Sequence, residues 1–241
     1  MLGVKTIGNA TLVAYDKECI LVTDPWMGGE DSAYFGSWDL PYVIPDDITN
    51  DIYSAQYIWF SHGHPDHLNP SSIKRFKGKK FLLPDHVGER IKTGLKDEGY
   101  DVETIPDRTW VKLSKKITVF CITTVIQDAI LLINVNEHLF VNLNDAGTRG
   151  CRRLIRKICK NYKYTYLLSL HGYCDADMIN FFDEDGNFIE PIEAGNKSKV
   201  GENLSLIANS LEIKNVIPFS SFHNYQREDS VWANKYVTQL R

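Results

Sequence analysis

Tyr57-Ile-Trp-Phe-Ser61 is an uncharged, largely apolar run that stops abruptly at His62-Gly-His-Pro-Asp-His67. A run so short and so apolar reads as a buried strand, and a chain built round a buried strand folds in layers. The rest of the sequence supplies them. Residues 11–15 and 19–23 are β-prone and are separated by Asp16-Lys17-Glu18, the pattern of a hairpin. Residues 129–135 and 138–143 form a second hairpin across Asn136-Glu137. Further strands are expected at 80–84, 117–125, 164–170 and 216–220. Helices are expected at 71–76, 87–98, 151–161, 203–211 and 229–237, with Leu154, Ile155 and Ile158 on one face of the third. Hairpins lead each half and helices follow, so the sheets are mixed rather than a repeated βαβ array. No repeat, low-complexity tract or linker interrupts the pattern. The expectation is α/β (α+β layered), a single domain over residues 1–241.

Composition narrows the function classes. With 43% hydrophobic and 24% charged residues, the chain has material for a sizeable core. A net charge of −4 argues against nucleic acid, whose binding partners are usually basic. The basic positions Arg149, Arg152, Arg153, Arg156, Lys157 and Lys160 have helix-face spacing and read as a solvated stripe. Residues 1–13 carry no signal pattern, and no apolar run reaches membrane length. A cytoplasmic protein with a small-molecule substrate and no membrane partner is expected; nothing sets the oligomeric state. The five cysteines are odd in number and never spaced C-x-x-C, which excludes a zinc ribbon and gives no disulfide framework. Between Trp26 and Pro45 lies a loop rich in glycine and aromatics, the kind that walls a binding site.

Three of the seven histidines fall at His62, His64 and His67, with Asp66 between them. Two histidines one residue apart at a strand end can clamp one cation, and the Asp-His pair just beyond faces the adjacent position. Imidazole nitrogen and carboxylate oxygen suit zinc or iron better than magnesium or calcium. Gly63 permits unusual backbone angles and Pro65 stiffens the turn. A metal site is expected here.

SHGHPDH, led in by YIWF and preceded by LVTDPW, resembles the signature of the metallo-β-lactamase superfamily. The resemblance extends over nearly the whole chain and implies an αββα sandwich with one or two metals between the sheet edges. The cofactor expected is two divalent ions, zinc or iron, with manganese tolerated. Asp24 matches the family's early aspartate, which orients the ligands. Asp145, in FVNLNDAG, matches the aspartate that bridges two metals, and His223, after VIPFSSF, matches the late histidine. One departure stands out: the family places another histidine before the second hairpin, where this chain reads TTVIQDAILLI. Asp128 is the nearest group able to take that place, with Gln127 beside it. Either makes the site richer in oxygen and shifts it towards iron; the other reading of Asp128 is a solvent-facing turn residue.

DPW, the aromatic loop with FGSW, IQDAILLI and NLND most resemble the metallo-β-lactamase portion of CMP-N-acetylneuraminate hydroxylase and its bacterial relatives. The Rieske ligand motif that accompanies that portion is absent from this sequence. The chain stops soon after the helix expected at 229–237, as a minimal or shortened member would. The metal ligands expected are therefore His62, His64, Asp66, His67, Asp128, Asp145 and His223, with Asp66 also placing or deprotonating the attacking water. Trp38, His171, Tyr225 and Arg227 are the candidates for touching substrate. His171 could equally be a strand-end structural residue, and Arg227 either grips a carboxylate or phosphate or forms a surface salt bridge. His86 and His138 read as surface or hairpin residues. The activity expected is hydrolysis of a polar ester, amide or phosphoester by a metal-activated water. The alternative is an iron-dependent oxygenase acting on a sugar-like or nucleotide-sugar substrate.

Overall fold

The computed structural model describes residues 1–170, 182–189, 197–220 and 222–237. One sheet contains β1 (Leu2–Ile7), β2 (Thr11–Asp16), β3 (Glu18–Thr23), β5 (Tyr57–Trp59), β6 (Lys80–Pro84) and β7 (Asp101–Ile105), in that order. The first three pair antiparallel; β3, β5, β6 and β7 run parallel. The second sheet holds β8 (Trp110–Lys112), β9 (Ile117–Thr123), β10 (Ala129–Val135), β11 (His138–Asn144), β12 (Tyr164–Leu170) and β13 (Asn215–Phe219). Here β8 to β11 are antiparallel, while β11, β12 and β13 are parallel. Helices α1 (Asp46–Ser54) and α2 (Arg90–Asp97) belong to the crossovers of the first sheet, and α3 (Arg152–Cys159) and α4 (Lys197–Leu211) to those of the second. A small ribbon, β4 (Trp38–Asp39) with β14 (Asn224–Tyr225), ties the aromatic loop to the chain's last segment.

The apolar runs sort into layers by the two-residue period of a strand. On β10, Leu131, Ile133 and Val135 face the middle layer between the sheets, where they meet Leu12, Leu21, Trp59 and Leu82. Their neighbours Ile130 and Leu132 face outward onto Ile155 of α3 and Ala208 and Leu211 of α4. On β2 and β5, Val13 and Ile58 turn to a third cluster with Ile52 of α1 and Leu95 of α2. Strands buried on both faces show no polar alternation, which is why AILLINV reads as one continuous run. The αββα expectation is met. Pro218 is tolerated because β13 is an edge strand.

Elements that the sequence reading lacks are those with weak signals. Strand β1 is a partly exposed edge, β7 an exposed edge with alternating burial, and β8 has three residues. Helix α1, DDITNDIYS, is built from poor helix formers and buries only Ile52 fully. The helix expected from residue 87 begins at Arg90, because Gly88 and Glu89 both take left-handed backbone angles. The closing helix is a short 3-10 turn, Val231–Lys235. Among the described residues, no helix is long and apolar enough to cross a membrane.

Candidate metal centre

Parallel strands share their carboxyl ends, and stacking the two sheets brings the ends of β3, β5, β11 and β13 to one edge. Asp24 follows β3, His62 follows β5, Asp145 follows β11 and His223 follows β13. Three of these ends share a backbone device: Asp24, Asn144 and Ser220 adopt left-handed φ of 40°, 51° and 59°. Aspartate and asparagine tolerate that region best among residues with a side chain. At β11 the ladder to β12 also slips register between Asn142 and Asn144. Such irregularities re-aim the side chains that follow.

His62, His64 and Asp145 each offer a ligand atom, and these atoms lie within 4.8 Å of one another. Asp145 Oδ2 stands 3.9 Å from His62 Nε2 and 3.3 Å from His67 Nε2, so one oxygen faces both imidazoles. Its other oxygen accepts a hydrogen bond from Ser220 Oγ at 3.1 Å. Asp66 Oδ2 is 3.4 Å from His67 Nε2. His223 is buried and stacks on Trp38 with ring centroids 3.6 Å apart. The structure thus gathers His62, His64, Asp66, His67 and Asp145, with His223 under the influence of Asp66 and Asp145.

The nitrogens facing this cluster are left over. His62 Nε2 and both ring nitrogens of His223 are buried with no hydrogen-bond partner, while His67 Nε2 lies between the Asp66 and Asp145 carboxylates. Buried polar atoms are otherwise almost always paired, and a neutral imidazole nitrogen without a partner is what a divalent metal takes. Without metal, burial depresses His62 to about 2, helped by the charge on His67. Burial likewise takes His223 down to about 4 against the pull of Asp66 and Asp145. For His67 burial acts in the same direction, but Asp66 and Asp145 outweigh it and raise the pKa well above the usual imidazole value. The reciprocal effect holds Asp145 low: burial would raise it, and the His67 charge prevails. His67 Nε2 thus faces two carboxylates at once. The residues fit a metal.

A buried network fixes the outward nitrogens. Asp24 accepts from Ser61 N at 2.7 Å and from Asn144 Nδ2, and its Oδ2 lies 3.4 Å from His67 Nδ1. Asp24 therefore stands at the His67 Nδ1, on the side away from Asp66 and Asp145. Asn9, with no sequence signal, donates to Asp66 Oδ2 at 2.9 Å and accepts from Phe222 N at 2.9 Å. Tyr34 OH donates to Asp66 Oδ1 at 3.2 Å. Asn9, Ser61, Asn144 and Ser220 escape sequence reading because such residues are ordinary at turns; Tyr34 was signalled only as part of the aromatic loop.

Asp128 lines the same cavity but approaches the other side of His62, with Oδ1 at 3.4 Å from Nδ1. That nitrogen is also 2.9 Å from Ser61 Oγ. Like Asp66, His67 and His223, Asp128 lies outside the three-residue group of His62, His64 and Asp145, and it is not solvent-facing. Burial, then the Asp145 charge, pushes its carboxyl up to about 7. His86, read as a surface residue, instead forms part of the cavity wall, with Nε2 at 3.2 Å from the Asp128 carbonyl.

The substrate candidates fare less evenly. Trp38 lines the cavity but is buried in the stack with His223 and edge-on to Tyr225, so its face backs a histidine. Phe35, expected beside it as a wall, points fully into solvent. Tyr225 is buried behind Trp38 and does not line the cavity. Arg227 is a correction too: its guanidinium is exposed and held by Asp229, Nε to Oδ1 at 3.0 Å and Nη2 to Oδ2 at 2.6 Å. His171 lies outside the described residues. The cavity measures about 1140 Å³, ample for a small molecule.

No family model matches the chain. It is 24% identical over 147 residues to the inactive cytidine monophosphate-N-acetylneuraminic acid hydroxylase of Homo sapiens, a match covering 57% of this chain and 29% of that protein. The chain thus corresponds to less than a third of the length of that curated relative. Among solved structures, a possible metal-dependent hydrolase from Veillonella parvula superposes with TM-score 0.61 at 12% identity, covering 98% of this chain and 92% of that one. CmlA, a diiron β-hydroxylase from Streptomyces venezuelae, superposes with TM-score 0.61 at 14% identity over 96% of this chain and 48% of that one. YhfI from Bacillus subtilis, a metallo-beta-lactamase fold protein, superposes with TM-score 0.51 at 11% identity over 98% of this chain and 88% of that one.

Proposed function

On the premise that this chain has the metallo-β-lactamase fold, we propose that it is a metal-dependent hydrolase. Its substrate is a polar small-molecule ester, amide or phosphoester. The observation that carries the reading is the set of buried, unpartnered imidazole nitrogens on His62 and His223, together with a His67 Nε2 set between Asp66 and Asp145. His62 and His64 would hold one divalent ion, Asp66, His67 and His223 a second, and Asp145 would face both. When bound, zinc or iron ions supply Lewis acidity and lower the pKa of water towards neutrality.

The chain's own groups supply orientation. Asp24 and Asp128 each stand at the Nδ1 of a histidine, which favours the proton there and leaves Nε2 free for metal. Asn9 and Tyr34 occupy both oxygens of Asp66, so it acts as a fixed ligand more readily than as a mobile base. The cytoplasm is the proposed location, because the four described cysteines are buried free thiols, as in a reducing compartment.

A second reading, iron-dependent hydroxylation of a sugar-like substrate, draws on one specific observation: Asp66, Asp128 and Asp145 all line the cavity, a carboxylate-rich wall that suits iron. Two of the similar proteins are also named hydroxylases. The experiment is metal analysis of anaerobically purified protein, followed by assays with bis(p-nitrophenyl) phosphate, p-nitrophenyl esters and, for the iron form, oxygen uptake with a reductant. Hydrolysis lost with His64→Ala supports the first reading. A protein that binds neither zinc nor iron refutes both.

A further inference from the structure

The cavity does not end at the metal centre. Its wall also includes Leu68, Ile73, Leu83, Ile91 and Leu95, which pack in one cluster and make an apolar arm of the cavity at α2. None of these belongs to the proposed ligand set. At the centre of the helix face over this arm stands Gly94, with Arg90 one turn before and Glu98 one turn after also lining the cavity. Glycine within a helix costs stability relative to alanine, and here neither usual reason for it applies. Gly94 has no left-handed φ, and a Cβ built on it would meet nothing within 4 Å. Gly94 is exposed and lines the cavity, so what glycine leaves at this position is open space at the cavity wall.

Apolar side chains also stand at the mouth, among charged ones such as Glu89 and Arg90. Ile126 lines the cavity while 69% exposed, and Val87 is 87% exposed on the facing loop. Gln127 Nε2 donates to the Val87 carbonyl at 3.3 Å, which ties the two loops together at the mouth. Large apolar side chains set in water beside an apolar cleft mark a binding surface more often than chance.

We propose that this arm takes an apolar group of the substrate, an alkyl chain or aromatic ring, while the polar bond to be broken is presented to His62, His64 and Asp145. The inference rests on the metallohydrolase reading for the place of that bond, but the arm itself needs no metal. The probe is therefore neutral: N-phenyl-1-naphthylamine, whose fluorescence rises in apolar surroundings. It is titrated into zinc-loaded wild type, Gly94→Leu and Ile126→Gln, with zinc content and melting temperature measured on each.

Saturable binding is expected in the wild type. Gly94→Leu should weaken it by about tenfold or more, the scale on which an apolar pocket discriminates, while melting temperature holds or rises and zinc content is unchanged. Ile126→Gln, in an exposed turn that cannot disturb the core, should weaken it by about threefold, the share of one partly exposed contact. Absence of saturable binding in the wild type, or equal affinity in wild type and Ile126→Gln, overturns the proposal even if Gly94→Leu fails to fold. Probe binding intact in a protein that takes up no zinc would sink the metal reading and leave the arm standing.

Discussion

Replacing Asp128 with asparagine tests how the centre is held. The change keeps the side chain's shape and the acceptor that takes the Ala129 N–H at 2.6 Å, and removes only the charge. Asp128 Oδ1 lies 3.4 Å from His62 Nδ1. At an effective dielectric of about 20, a full charge at that distance is worth at most about 5 kcal/mol, and a carboxyl pushed up to about 7 carries only part of that charge near neutral pH. The realised loss should be smaller, because Ser61 Oγ at 2.9 Å can take the same proton. Removing an outer partner of a metal-bound imidazole typically costs about 10- to 100-fold in affinity, or about 1.4–2.7 kcal/mol. Asp128→Asn should therefore weaken zinc and iron binding alike by that factor, read by competition with a chromophoric chelator. Asp128→His, which puts a neutral nitrogen in place of a charged oxygen, distinguishes direct ligation: it should then shift preference towards zinc. Unchanged affinity for both metals in both variants would refute any part for Asp128 in the centre.

His64 is exposed, so His64→Ala should change the stability of the metal-free protein by no more than about 0.5 kcal/mol; elemental analysis should nevertheless show zinc falling below two ions per chain. Trp38→Ala removes a buried ring that stacks on His223 and should cost about 3–5 kcal/mol, seen as a melting temperature lower by about 10 °C. Trp38→Phe should recover much of this, and a large affinity loss without a stability loss would instead make Trp38 a substrate contact. Asn9→Ala strips the Asp66 carboxylate and the Phe222 amide of a partner each and should destabilise by about 3 kcal/mol in urea titrations; a loss under about 0.5 kcal/mol would show that water replaces it.

The centre was legible where its chemistry is local. His62, His64, Asp66 and His67 lie within one turn after one strand, so their spacing alone announces a metal site. Asp24, Asp145 and His223 could be placed because each follows an apolar strand in the order that the family resemblance implies. The layers were legible for a related reason: strands buried on both faces, such as 129–135, have to be apolar throughout.

Other features depended on which distant residues the fold brings together. Arg227 looks like a substrate grip until Asp229 is found to hold it. Asp128 looks like a turn carboxylate or a seventh ligand; the fold shows it buried, with Oδ1 on the Nδ1 side of His62. Asn9 carries no signal at all, because one asparagine after a glycine is an ordinary turn; only the packing of residue 9 against residues 66 and 222 makes it part of the centre. Sequence determines which donors are available and which segments must be buried. Hydrogen bonds and ion pairs act over a few ångströms between residues far apart in the chain, so only the tertiary structure decides which side of each imidazole is left for a metal.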